Sequence, residues 1–195
     1  MEDVKKQDKR SLPVYWSDFL MEEFSKETDR AAVILTVSLF ENALSSLLKA
    51  YLAPINSSSD ELFDGPTAPL SEFSSKIQIS YRLGLISQKF AQDLHVIRKI
   101  RNEFAHNVHG SSLKEGRVKD LLTNLVCSSD IVKNERTNGN SVYPKGPRGE
   151  FLTVANIALF YLNQQVEGIS TRQIREKEIE WIYFWKPEKQ EKKTG

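Results

Sequence analysis

The sequence predicts an all-α, single-domain bundle of five to seven helices, on three grounds. Apolar residues recur at three- and four-residue spacings in one segment after another, the period of a helix with one buried face. The gaps between those segments carry helix punctuation: Thr28, Ser87 and Ser112 as caps, Gly84 and Gly110 as stops, Pro54 and Pro69 as boundaries. Finally, 195 residues with 39% hydrophobic and 27% charged side chains are enough for one well-buried core.

Residues 1–14 are charged, lack apolar periodicity and read as a disordered arm closed by Pro13. Residues 15–167 read as the helical domain, with its core in 28–127. From Tyr15, Trp16, Phe19, Leu20 and Phe24 oppose Asp18, Glu22 and Glu23 in a short first helix. Thr28 or Asp29 caps the next, which runs to about Tyr51 with Ala32, Leu35, Thr36, Leu39, Ala43, Ser46, Leu47 and Ala50 as its buried face. Residues 54–69 form a Ser-, Pro- and Gly-rich loop in which Ser58 and Glu61 are spaced to cap one turn. With one glycine and no following Lys-Ser/Thr, that loop is no phosphate cradle.

Pro69 opens a third helix whose buried row is Leu70, Phe73, Ile77 and Tyr81; Gly84 ends it in a left-handed turn. Ser87 caps a central helix from Gln88 to about Asn107, stopped by Gly110. Ser112 with Glu115 forms a capping box for a helix through Val118, Leu121, Leu122, Leu125 and Val126. A polar loop fills 128–149, and a sixth helix spans about Phe151–Glu167 with Leu152, Ala155, Leu159, Leu162 and Val166 inward. Residues 168–195 form a tail with the aromatic run Trp181–Trp185, expected to pack on the core or on a partner.

A net charge of +1 gives no global electrostatic case for nucleic acid, so any such contact is local or made by assembling subunits. No apolar run is read as approaching the ~20 residues that cross a bilayer, and no membrane association is expected. The mixed-charge start Met1–Lys6 lacks a secretory signal's apolar stretch, and the single Cys127 permits no internal disulfide, so a cytoplasmic setting is expected. Cys127 reads as a small core residue rather than a nucleophile.

The unusual chemistry gathers in Leu94–Asn107. Phe90, Leu94, Ile97, Phe104 and Val108 form an apolar stripe into which Arg101 falls. A guanidinium keeps its charge on burial, so Arg101 requires an anionic or carbonyl partner, and Glu41 is the first candidate, its alternative being a solvent-facing carboxylate. Arg98, Asn102, His106 and His109 line an adjoining polar face. The hairpin across 70–107 is poorly placed to read DNA, because its cations lie far along the second helix whereas recognition helices present their first turns. His95, His106 and His109 lack a convergent carboxylate, so no metal or other cofactor is expected.

Asp64-Gly65-Pro66, Pro69-Leu70-Ser71, Lys76-Ile77, Tyr81–Ser87 and the helix ending in Arg101–His106 resemble the mannitol operon repressor family over about residues 28–127. That resemblance implies an all-helical, dimeric bacterial cytoplasmic regulator acting in transcriptional control without a recognisable DNA-binding domain. Arg101-Asn102-Glu103-Phe104-Ala105-His106 also fits the Arg-Asn-x-x-x-His signature of the HEPN superfamily, many of whose members are metal-independent ribonucleases in toxin and phage-defence systems.

The first reading is a non-enzymatic regulator, a homodimer contacting a regulatory protein or, weakly, nucleic acid. The alternative is an endoribonuclease. There His106 would be the general acid or base, Arg101 would hold the scissile phosphate, Asn102 would orient it, and Glu41, Arg98 and His109 would be accessory. Each protomer supplies one such histidine, so a two-fold dimer would bring acid and base together. In the plain structural reading, Arg101 pairs with a carboxylate and His106 sits at a helix C-terminus whose dipole favours a cation.

Overall fold

The structure, a computed structural model, describes residues 24, 27–55, 57–107, 112–128 and 145–170. Its five helices are α1 (Asp29–Tyr51), α2 (Phe73–Arg82), α3 (Gln88–His106), α4 (Gly116–Ser128) and α5 (Pro147–Ser170). They form one all-α domain, and no strand occurs among the described residues. The arm 1–14, all of the expected first helix but Phe24, residues 108–111 including His109 and Gly110, and the run Trp181–Trp185 lie outside the described residues.

Helix α1 is the centre of the bundle and packs on α5, α3 and α2, while α4 bridges α3 and α5. Its cap is Thr28, whose Oγ1 accepts from the Ala31 amide at 3.2 Å. The buried face differs from the expected one. Val33, Val37, Phe40, Leu44 and Leu48 join Ala32, Thr36, Ala43 and Leu47 inside, whereas Leu35 is 44% exposed and Ser46 is also exposed. Two adjacent columns of α1 are buried because neighbours press on it from several sides, and this turns Leu35 out.

A second correction concerns the length of the apolar runs and not the absence of membrane association. By length and composition, α1 could cross a bilayer, with a mean hydropathy of 1.7. Half of that apolar stretch is buried inside the bundle, and Phe40, Leu44 and Leu47 are fully enclosed. The apolarity serves a core helix touched on several faces.

Helix α2 starts at Phe73 rather than Pro69, because the Leu70 amide donates to the Leu62 carbonyl at 2.8 Å and ties that turn to the preceding loop. Lys76 and Ser80 share its buried side with Phe73 and Ile77, and Tyr81, expected inside, is 37% exposed. In the loop, Asp60 caps the single turn instead of Ser58, its Oδ1 accepting from the Leu62 amide at 3.1 Å. Gly84 takes the left-handed φ of 73° that ends α2, and Ser87 Oγ accepts from the Phe90 amide at 3.2 Å to start α3.

The Ser112–Glu115 capping box does not form. Ser112 Oγ instead accepts from the Lys114 amide at 3.1 Å, and the buried Leu113 donates its amide to Asp29 Oδ2 at 3.3 Å. Helix α5 begins at Pro147 rather than Phe151 and ends at Ser170 rather than Glu167. Proline suits a first helical position, where its missing N–H costs nothing, and Gly146 supplies the φ of 104° leading into it. Ile169, read with the tail, is 7% exposed and belongs to the core cluster.

Candidate functional site

Helix α3 presents two contrasting faces. Leu94, Ile97, Ile100 and Phe104 are buried to 1% exposure or less, which fixes the helix's rotation. Phe90, expected in the same stripe, is only partly buried, and Ala91 and Ile100 take up the row instead. With that rotation set, Arg98, Arg101 and Asn102 lie partly exposed along one edge and His106 is exposed at its end. Asn102 and His106 are one turn apart, so the helix itself stacks them.

Glu41 of α1 meets Arg101 of α3, Oε1 to Nη2, at 4.0 Å, with each side chain 32% exposed. The counter-ion that the sequence suggested is thus beside Arg101, at the outer limit of an ion pair. The Nε groups of Arg98 and Arg101 are buried without a hydrogen-bond partner. A guanidinium offers five N–H donors, and these two Nε groups face the protein interior without an acceptor.

His95, a turn earlier, has its pKa lowered from the ordinary 6.5 by burial first, then by the positive charges of Arg98 and Lys99. Its Nδ1 is also buried and unpartnered. Beside it runs a shallow groove of about 460 Å³ lined by Ser74, Ser75, Gln78, Ile79 and Arg82 of α2.

The end of α3 is anchored on both sides. Arg30 Nη2 donates to the Asn107 carbonyl at 2.6 Å, Asn107 Nδ2 donates to Glu103 Oε2 at 3.1 Å, and Glu103 Oε1 pairs with Arg117 of α4 at 3.2 Å. Glu103 and Phe104, inside the six-residue motif, therefore have structural work of their own: one ties α3 to α4, the other fills the core.

Among the described residues no three His, Cys, Asp or Glu side chains come together as a metal-holding group. Sequence reasoning missed Arg148. It pairs with Asp29 Oδ1 at 3.4 Å, donates to the Glu27 carbonyl at 2.7 Å and also donates to the Phe24 carbonyl. The signal was Pro147, read as loop but opening a helix, which places the next residue over the start of α1.

No protein-family profile and no curated relative matches the chain. A solved structure does: the X-ray structure of the MtlR–HPr complex from Escherichia coli. The match covers 80% of this chain and 99% of that one, with a TM-score of 0.50 and 17% identity. The fold is MtlR-like. At that identity the likeness speaks for the arrangement of helices and carries no residue of MtlR onto this chain.

Proposed function

We propose that this chain is a bacterial cytoplasmic regulatory protein that acts as a homodimer by holding a partner protein, rather than by catalysis. The observation that carries the reading is the MtlR-like fold, seen in a protein solved together with a second protein, HPr. The resemblance of residues 28–127 to the mannitol operon repressor family points the same way. We assign the partner contact to Arg98 and Arg101, three residues apart on one edge of α3. Arginine is enriched at protein interfaces, and two partly exposed guanidiniums suit carboxylates on a partner.

Calorimetric titration of the full chain with purified Escherichia coli HPr tests this. One-site binding is expected, weakened about tenfold or more, ~1.4 kcal/mol, by Arg98→Ala. No heat of binding would remove the HPr-type reading. Binding that Arg98→Ala and Arg101→Ala leave unchanged would move the contact elsewhere. Sedimentation equilibrium checks the dimer.

A second reading, a metal-independent endoribonuclease, is favoured by one arrangement: Arg101 held beside Glu41, with Asn102 and the exposed His106 on the same edge. In this reading the RNA 2′-hydroxyl attacks the adjacent phosphate, Arg101 stabilises the developing charge, and His106 transfers the proton. Incubation with RNA in excess EDTA decides it. Products ending in a 2′,3′-cyclic phosphate, made by the wild type and lost in Arg101→Ala and His106→Ala, would establish the enzyme. Intact RNA with a folded dimer leaves the regulator.

A further inference from the structure

The connection between α1 and α2 carries apolar surface that the bundle leaves open. Of the seven large hydrophobic side chains exposed among the described residues, three fall within residues 51–62: Tyr51, Ile55 and Leu62, each 42–50% exposed. A cavity of about 270 Å³ opens in the same segment, walled by Leu52, Pro54, Ile55, Leu62 and Phe63. Apolar side chains scattered singly over a surface need no explanation, whereas a group of them around a cavity marks an interaction surface.

This surface is held in shape by its own hydrogen bonds. Asp60 Oδ1 accepts from the Leu62 amide at 3.1 Å, Asp64 Oδ2 accepts from the Asp60 amide at 2.8 Å, and the Leu70 amide donates to the Leu62 carbonyl at 2.8 Å. Leu62 is therefore fixed in its outward position, and a preformed surface has less freedom to lose on binding.

Charge decides the occupant. From Ala50 to Ser75 stand the carboxylates Asp60, Glu61, Asp64 and Glu72, with no lysine, arginine or histidine, although the whole chain carries 27 Lys and Arg against 26 Asp and Glu. Asp60, Glu61 and Asp64 make none of the ion pairs among the described residues. The one cation lining the cavity, Lys49, holds its ammonium over the Phe63 ring, 4.9 Å from the centroid. The apolar opening is thus flanked by net negative charge, which attracts cations and repels nucleic-acid phosphates.

We propose that this surface docks a basic segment of a partner protein, with one large apolar side chain in the cavity and flanking lysines or arginines on Asp60, Glu61 and Asp64. It shares no residue with the α3 edge assigned above and stands whether or not HPr binds there. The apolar anchor supplies most of the affinity, and the carboxylates set selectivity and association rate. A second copy fits poorly, because the segment meeting itself across a two-fold axis would set like charges against each other.

Panning a random peptide library on the immobilised full chain supplies the probes, and fluorescence anisotropy measures their affinity. Enriched peptides are expected to carry lysine or arginine on both sides of a phenylalanine, leucine or tryptophan. Ile55→Glu and Glu61→Lys, both at exposed side chains, should keep helicity by circular dichroism and each weaken those peptides about tenfold or more. Arg98→Ala should leave them unchanged. Affinity should fall several-fold as sodium chloride rises from ~50 to ~300 mM. No enrichment, or enriched peptides without basic residues, would overturn the proposal. So would binding that neither Ile55→Glu nor Glu61→Lys changes, which would put the site elsewhere. A dimer that Ile55→Glu dissociates in sedimentation would assign the surface to a second copy and overturn it as well.

Discussion

Two arginines, Arg148 and Arg101, each join a helix to α1, and they do so in opposite ways. Arg148 sits at the start of α5 with its guanidinium shared among Asp29, the Glu27 carbonyl and the Phe24 carbonyl. Arg101 reaches Glu41 at 4.0 Å and leaves its Nε buried without a partner. A guanidinium that ties Asp29 and two carbonyls at the start of α1 to α5 acts as a clamp. One held only at 4.0 Å at a partly exposed edge contributes little to stability. The two differ in their partners rather than in burial, since the side chains are 27% and 32% exposed.

The largest effect expected on this comparison comes from the ground that Arg101 stands on. Phe104→Ala should cost about 3–5 kcal/mol in urea unfolding, because the fully buried ring fixes the rotation of α3. A cost under ~1 kcal/mol would mean that the polar edge is not held by that core row. Next, Arg148→Ala should lower stability by roughly 1–3 kcal/mol, the range for hydrogen bonds to a charged group, discounted for partial exposure.

Arg101→Ala should cost no more than about 1 kcal/mol, and a double-mutant cycle with Glu41→Gln should give a coupling within that range. Equal losses at Arg101 and Arg148 would erase the distinction. The smallest effect is expected at His95. Its folded pKa lies below the unfolded 6.5, so the unfolded chain binds the extra proton first as pH falls. Stability should therefore decline below pH 6.5 until the folded-state pKa is passed, and His95→Gln should flatten the melting temperature over that interval. A profile unchanged by His95→Gln would place the acid sensitivity in other groups.

Several features were legible without coordinates because they rest on local geometry. Thr28 and Ser87 accept the amides that caps at those positions require, and Gly84 adopts the left-handed turn. Glu41 could be read as one candidate beside Arg101, its alternative being a solvent-facing carboxylate, and the structure places the two 4.0 Å apart with both side chains about a third exposed rather than inside the apolar stripe. The boundaries of α2, α4 and α5 were less so. Leu70 and Leu113 spend their amides on Leu62 and Asp29, partners 8 and 84 positions away, and a local pattern cannot see them.

The sequence by itself determined that this chain would be helical, where most of its helices would lie, and that its unusual charges would gather near the end of the central one. Those properties follow from the 3.6-residue period, cap chemistry and breakers, all of which act within a few residues. Only the tertiary structure decided which side of α1 turned outward, which arginine became a clamp and which stayed loosely paired. Each of those outcomes depends on what packs opposite a side chain, and that neighbour comes from a distant part of the chain.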